Sequence, residues 1–265
     1  MAKKIEKSNI ITDRLLRSWI RCPRKAWLDQ CGKKQQRLWT AHRVLQLDHQ
    51  QLSFSELIPI KPEKGIEACK KGSNGIIGLR LKGISPSGIY LEAHPPLLQK
   101  IKGESRWGNY QYRPVIARQG HKITREHRLS LTLSGFLLES FQEAQVPEGV
   151  VVSKTKNSLE VQKIFLTGKL QEQLIEAVEK LNKTLTNPNI PEITSDRKKC
   201  TLCSWRNLCN QEAKEEGYLS EVSGIGPKRK QILEGIGIKK IKELANISPI
   251  FLEDKLQEYG EQHAD

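Results

Sequence analysis

Three of the six cysteines of this 265-residue chain lie within ten residues, and their spacing constrains the fold more than any other feature. Cys200, Cys203 and Cys209 form a C-x2-C-x5-C pattern. A C-x2-C pair in a tight turn presents two thiolates to one metal centre, and a third cysteine soon afterwards can close on the same site. Because four ligands are usual, Cys22 is the natural fourth, and such a site would tie two distant parts of the chain together.

Two other interpretations of these cysteines stay open. The four thiolates could hold a structural Zn²⁺, although zinc modules more often carry two short C-x2-C pairs, or the cysteines could be buried without a ligand. We expect Cys31 and Cys69, which have no comparable neighbours, to be buried apolar residues. Because the sequence begins without an apolar leader and the cytosol keeps thiols reduced, we expect a cytoplasmic protein with no disulfides and no membrane partner.

The positive charge of the chain is concentrated in two segments. Lys and Arg exceed Asp and Glu by 14, with 44 against 30. Residues 1–50 carry twelve basic and four acidic side chains, and residues 223–245 carry six and two. Two separate basic segments on a folded chain indicate a polyanionic partner, most often nucleic acid, whereas the alternative is a solvated surface without a partner.

The apolar pattern changes period along the chain. Helical spacing extends over residues 13–20, 37–52, 124–145 and 169–185, and short β-rich runs occupy residues 76–81, 89–93, 110–117, 149–153 and 161–166. This order predicts a mixed α/β fold in which a central sheet is flanked by helices. Pro188 and Pro191 mark a linker, after which the clustered cysteines and a small helical unit follow.

A glycine-rich turn in this last part resembles a helix-hairpin-helix motif, with the sequence V-S-G-I-G-P-K-R-K-Q-I-L. Gly224 and Gly226 allow a tight turn that exposes main-chain N–H groups, and the following helix directs its positive dipole end at the same point. Lys228, Arg229 and Lys230 add positive charge, so we expect this motif to hold a DNA phosphate without reading bases. A small protein-interaction unit is the alternative.

The sequence around the cysteines resembles that of a known protein family. Cys22 begins the sequence C-P-R-K-A-W, and the C-x2-C-x5-C pattern follows the α/β region, as in RecB-family nucleases, which include the CRISPR adaptation nucleases and AddB. The resemblance implies a PD-(D/E)xK restriction-endonuclease-like core and a [4Fe-4S] cluster held by Cys22 and the three clustered cysteines. It also implies a nuclease-fold domain over residues 1–212 and a helix-hairpin-helix unit with a tail over residues 213–265.

The positions that would carry catalysis in this family are altered. Active members hold Mg²⁺ or Mn²⁺ with two carboxylates on adjacent strands and use a Lys to position the attacking water. Here Pro96 stands at the first acidic position, Ile116 at the second and Arg118 at the Lys position. Ile cannot bind a metal ion, and a protonated Arg can hold a phosphate but cannot act as a base. Because His42 matches the family's helical His and Glu92 is a nearby substitute carboxylate, the candidate catalytic residues are His42, Glu92 and Arg118.

We therefore expect a DNA-binding protein of DNA repair or recombination, with an iron-sulfur cluster and a degenerate nuclease centre. The expected partner is DNA, in single-stranded form or at ends. One alternative is an active Mg²⁺- or Mn²⁺-dependent DNA exonuclease. Another is a non-catalytic scaffold that binds a protein of a DNA-processing complex.

Overall fold

A computed structural model describes residues 10–39, 42–120 and 122–261. The chain separates into two compact units. Unit 1 comprises the described residues of Met1–Gln30 and Ala41–Ile190, and unit 2 comprises those of Cys31–Thr40 and Pro191–Asp265. The predicted boundary between residues 212 and 213 falls inside unit 2. Three lysines of the first basic segment lie outside the described residues: Lys3, Lys4 and Lys7.

Unit 1 is built from strands and helices that alternate along the chain. In chain order its elements are β1 (Ile11–Thr12), α1 (Asp13–Arg21), α2 (Pro23–Cys31), α3 (His42–Leu57), β2 (Glu63–Lys64), α4 (Gly65–Lys71), β3 (Gly75–Ile77), β4 (Leu81–Ile84), β5 (Tyr90–Ala93), β6 (Leu97–Ser105), β7 (Gly108–Ala117), α5 (Arg125–Gln142), β8 (Glu148–Lys154), β9 (Leu159–Phe165) and α6 (Gly168–Thr186). These elements confirm the predicted mixed α/β class.

Two sheets organise these strands. The smaller sheet has the order β1-β5-β4, and the larger has the order β2-β3-β6-β7-β8-β9. Strands β7 and β8 are parallel, and α5 forms the crossover between them. A helical crossover is the usual way to join parallel neighbours, because a tight turn cannot connect them.

The larger sheet carries a different helix on each face. Side chains alternate between the two faces of a strand. Leu98 and Val151 belong to the hydrophobic cluster that includes the apolar face of α5, whereas their neighbours Leu97 and Val150 pack with Phe54 of α3. Burial on both faces therefore fixes the register of β6, β7 and β8. A slip of one residue would turn the side chains that face α5 towards α3, and those that face α3 towards α5.

The structure adds two strands to the region in which the sequence predicts three. The β-rich runs at residues 76–81, 89–93 and 110–117 correspond to five strands, β3 to β7, which are divided between the two sheets. The first run contributes to two short strands, β3 and β4, and β6 is new. Strand β6 was missed because only its first two residues are buried, while its outer part carries Lys100, Lys102 and Glu104. An apolar alternation that stops after two residues gives little signal for a strand.

Unit 2 is helical. It contains α7 (Arg206–Glu215), α8 (Pro227–Gly235), α9 (Ile241–Asn246) and α10 (Pro249–Gln257), together with 3₁₀ turns at Lys34–Gln36, Arg197–Cys200 and Leu219–Glu221. Leu219, Leu233 and Ile238 form its buried cluster. Across the described ranges of both units, no helix is long and apolar enough to cross a membrane.

Candidate functional site

The glycines before α8 form a tight turn, in which Ile225 N donates to the carbonyl of Val222 and Gly226 N to that of Gly224, each at 3.2 Å. Gly224 has a φ of 89°, a left-handed conformation that favours glycine. Gly226 is the N-cap of α8, and Pro227 occupies the first turn, where its missing N–H is not needed. The N-cap makes no side-chain hydrogen bond, and no acidic residue lies in the first turn. The turn therefore leaves the positive end of α8 open.

The cations around this turn differ in their surroundings. Lys228 and Arg229 are exposed, and neither forms an ion pair with any residue in the described part of the chain. A Cβ atom at Gly224 would lie 3.8 Å from Arg229 Nη1, so the guanidinium group lies beside the turn. Lys230 is half-buried and lies 3.4 Å from Glu234. The free cations of the hairpin are thus Lys228 and Arg229, while Lys230 pairs within its own helix.

The packing beneath the hairpin holds it in place. Tyr218 contacts two lysines, with its ring centroid 4.2 Å from Lys240 Nζ and 6.0 Å from Lys230 Nζ. Lys240 also forms an ion pair with Glu216 at 2.9 Å. The main-chain N–H of Ile241 donates to the carbonyl of Gly217 at 2.9 Å. These contacts occupy Lys230 and Lys240 and leave Lys228 and Arg229 for solvent or a ligand.

The three altered family positions lie at one end of the β6/β7 pair. Leu97 of β6 pairs with Val115 of β7 in antiparallel register, so Pro96 and Ile116 follow at the same end of adjacent strands. Neither side chain can bind a metal ion. Arg118 lies just beyond β7, also at this end.

Arg118 is turned into the protein. Its residue is only 3% exposed, its Nη2 lies 2.8 Å from Glu160 Oε2, and its Nη1 donates to the carbonyl of Gly120. Its main-chain N–H donates to the carbonyl of Val152 at 2.8 Å. Arg118 therefore joins the end of β7 to β8 through its main chain and to β9 through its guanidinium group, whose charge is compensated inside unit 1.

Glu92 and His42 have other partners. Glu92 lies on β5 of the smaller sheet, is largely buried, and is 3.5 Å from Arg80 Nε and 3.3 Å from His94 Nε2. His42 begins α3 and contacts Gln46 of the same helix, with 3.0 Å between Nε2 atoms. Within the described part of the chain, no hydrogen bond or ion pair joins Glu92, His42 and Arg118 to one another.

His127 is a site residue that sequence reasoning missed. Its Nδ1 accepts the main-chain N–H of Thr124 at 3.1 Å, and the two residues form a capping box at the start of α5. Burial lowers the pKa of its imidazole, the charge of Arg118 acts in the same direction, and Glu126 opposes them. The sequence feature that could have predicted this role is the position of His127 three residues after Thr124, where a capping box places a hydrogen-bond acceptor.

Cys200 and Cys203 lie on a turn that leads into α7, and Cys209 lies within this helix. Cys203 N donates to the carbonyl of Cys200 at 3.0 Å. N–H groups also point at two sulfur atoms: Trp205 N lies 3.5 Å from Cys203 Sγ, and Arg197 Nη1 lies 3.8 Å from Cys200 Sγ. Because such donors stabilise thiolate ligands, the chemistry of this donor set fits a metal centre.

The four cysteines of the predicted ligand set are divided between the two units. Cys22 belongs to unit 1, whereas Cys200, Cys203 and Cys209 belong to unit 2. In the described ranges, no three His, Cys, Asp or Glu side chains are arranged to hold a metal ion, so the four-cysteine ligand set stays a prediction.

The other two cysteines were both expected to be buried. Cys69 is fully buried, and burial raises the pKa of its thiol to about 11. The other, Cys31, is exposed at the end of α2, so its prediction was wrong.

Part of the first basic segment is paired within unit 1. Lys25 Nζ lies 2.5 Å from Asp29 Oδ2, and the Asp29 side chain is 1% exposed. Arg21 of α1 reaches Glu126 of α5 at 2.6 Å. Arg24 is buried. Other cations of the segment are exposed and have no acidic partner among the described residues: Arg14, Lys33, Lys34 and Arg43.

Known proteins give little further guidance. No protein-family model matches this sequence, and no curated protein is similar to it. Among solved structures, the crystal structure of SSO0001 resembles this chain with 14% sequence identity, covering 78% of this chain and 88% of that chain at a TM-score of 0.44. A likeness of this extent gives no information about function.

Proposed function

We propose that this chain binds DNA through the hairpin of unit 2. The observation that carries the proposal is the pair of exposed, unpaired cations, Lys228 and Arg229, beside a left-handed glycine turn at the open end of α8. A phosphate at this point would accept main-chain N–H groups, meet the positive end of the helix dipole and contact both side chains. None of these contacts reads a base, so the binding is expected to be independent of sequence.

We further propose that unit 1 is a RecB-like nuclease fold whose catalytic centre is degenerate. Two observations support this part. The β6/β7 end offers Pro96 and Ile116 where metal-binding carboxylates would be needed. Arg118, at the third altered position, is buried against Glu160 and is not free to contact a substrate. Glu92 supplies no substitute, because it lies on β5 of the smaller sheet and 3.5 Å from Arg80 Nε, which compensates its charge.

The proposal includes a [4Fe-4S] cluster held by Cys22, Cys200, Cys203 and Cys209. Such a cluster would join two parts of the chain and would add no reaction step to DNA binding. Protein purified without oxygen should contain about four irons and four sulfides per chain. Cys203→Ser should lose this iron, and Cys31→Ser, at an exposed cysteine outside the set, should retain it. Zinc in place of iron would contradict the cluster.

The DNA-binding proposal is tested by reversing the hairpin charges. The double variant Lys228→Glu/Arg229→Glu should bind a fluorescent 20-base-pair duplex about tenfold more weakly or worse at 0.1 M salt, because two phosphate contacts are lost. Fluorescence anisotropy measures the affinity. Both side chains are exposed, so the melting temperature should not change.

A control variant of equal charge separates the hairpin from overall charge. Lys214→Glu/Lys255→Glu makes the same change in net charge on α7 and α10 of the same unit. Neither lysine belongs to the glycine turn or to α8, so this variant should retain most of its affinity. Equal losses in the two double variants would overturn the hairpin as the binding site.

A further inference from the structure

A groove on unit 1 is lined by cations and by no acidic residue. It has a volume of about 790 Å³ and lies between β9 and the first turns of α5 and α6. Arg128, Lys163 and Lys169 line it, and none of the described residues that line it is acidic. Its size falls within the range of about 300 to 1,000 Å³ that is usual for ligand pockets. We call this the β9 groove.

Two of the three cations in the β9 groove are free. Lys163 lies 3.1 Å from Glu148, which compensates part of its charge. Arg128 and Lys169 are exposed and have no acidic partner among the described residues. The groove thus presents two uncompensated positive charges from different elements, one on α5 and one on α6.

A main-chain donor adds to these charges. The first turn of α6 contains no acidic residue, and its N-cap, Thr167, makes no side-chain capping hydrogen bond. The main-chain N–H of Lys169, which lines the groove, has no hydrogen-bond partner in the described part of the chain. The groove therefore combines two cations with an open N–H donor, the combination that favours a phosphate.

An exposed aromatic ring completes the β9 groove. Phe165, the last residue of β9, is 65% exposed and lies among the lining residues. Successive bases of a single strand stack on such rings while cations neutralise the neighbouring phosphates. The bases of a duplex already stack on one another, so a duplex could use the cations but not the ring.

The other side of α6 carries the opposite charge. A second groove, of about 540 Å³, is lined by Glu172, Glu176 and Glu179, and none of the described residues that line it is basic. A polyanion approaching α6 would therefore be attracted to one side and repelled from the other.

We propose that the β9 groove binds a short stretch of single-stranded nucleic acid, with one base stacked on Phe165 and the adjoining phosphates on Arg128 and Lys169. The inference rests on the proposed DNA-binding function and extends it, because it assigns to unit 1 a single-strand contact separate from the hairpin. A nucleotide chain suits this groove better than an acidic peptide, because every nucleotide supplies a base that can stack on the ring together with a phosphate for the cations.

The test uses a fluorescent dT oligonucleotide of twenty bases and the same duplex as above. Phe165→Ala should weaken binding of the single strand about fivefold or more and leave duplex binding unchanged. Lys169→Gln should weaken single-strand binding severalfold. Val161→Ala, exposed on the same strand but outside the groove, and Lys180→Gln, exposed further along α6, should have no effect. An oligonucleotide carrying 5-iodouracil should cross-link to the peptide that contains Phe165.

The outcomes separate this inference from the proposed function. If the groove variants bind dT normally while the hairpin variant loses duplex affinity, the groove inference is overturned and the hairpin stands. If the hairpin variant binds normally and the groove variants do not, the hairpin proposal fails and the groove stands. If poly-glutamate displaces dT as well as unlabelled dT does, the groove selects charge alone, and the nucleotide assignment is overturned.

Discussion

The two basic segments of this chain use their cations in different ways. In the first segment, Arg21 and Lys25 form ion pairs with Glu126 and Asp29 at 2.6 and 2.5 Å. In the hairpin, Lys228 and Arg229 are exposed and form no ion pair with a described residue. Arg21 and Lys25 thus use their charge for contacts within unit 1, whereas Lys228 and Arg229 present theirs to solvent.

The difference shows that a count of Lys and Arg does not locate a binding surface. A cation paired with a buried carboxylate stabilises the fold, and its removal leaves an uncompensated charge. A cation that is exposed and unpaired contributes little to stability and remains available to a phosphate. Variants in the two segments should therefore affect different properties.

The largest effect on stability is expected at Lys25. Its substitution Lys25→Met keeps the apolar stem but removes the charge that faces Asp29, whose side chain is 1% exposed. The free energy of unfolding should fall by about 3 kcal/mol, as measured by urea denaturation, because the carboxylate loses its nearest cation. DNA affinity should not change. Lys228→Met should give the reverse result, and a large loss of stability there would contradict the comparison.

A smaller effect is expected at Glu92. Glu92→Gln should lower the free energy of unfolding by about 1 kcal/mol, because the charged contact to Arg80 is weakened. Neither this variant nor the unaltered protein should cut labelled single- or double-stranded DNA in Mg²⁺ or Mn²⁺. Metal-dependent cleavage that disappears in Glu92→Gln would instead identify an active nuclease.

The smallest effect is a dependence of stability on pH at His127. Its pKa in the folded protein lies below the ordinary 6.5, so the unfolded chain binds the proton first. Stability is then full above pH 6.5 and declines as the pH falls through the lowered pKa, because the proton also blocks the acceptor of the capping box. In His127→Gln, which retains a capping-box acceptor, the melting temperature should fall less between pH 7 and 5. An equal fall would contradict this role.

Local signals in the sequence predicted much of the fold and the hairpin. Helices α5 and α6 and strands β7 to β9 follow from their apolar periods, and the turn before α8 follows from Gly224 and Gly226. Contacts between residues far apart in the sequence could not be predicted. Arg118 and Glu160 are 42 residues apart and meet only because β7, β8 and β9 are neighbours in the sheet.

The β9 groove illustrates the same limit. Arg128 and Lys169 are far apart in sequence and lie outside the two basic segments. They line one groove because α5 and α6 both begin beside β9. The sequence alone does not say which strands are neighbours, because the order of strands in a sheet depends on contacts between residues that are far apart in the chain. The groove could therefore not be predicted.

The most direct test of the central claim is the salt dependence of duplex binding. In a plot of log affinity against log salt concentration, each phosphate contact contributes a slope of about −0.9. If Lys228 and Arg229 each hold a phosphate, Lys228→Glu/Arg229→Glu should flatten the slope by about 2, and Lys214→Glu/Lys255→Glu should leave it unchanged. The same slope for the hairpin variant and the unaltered protein would contradict the account.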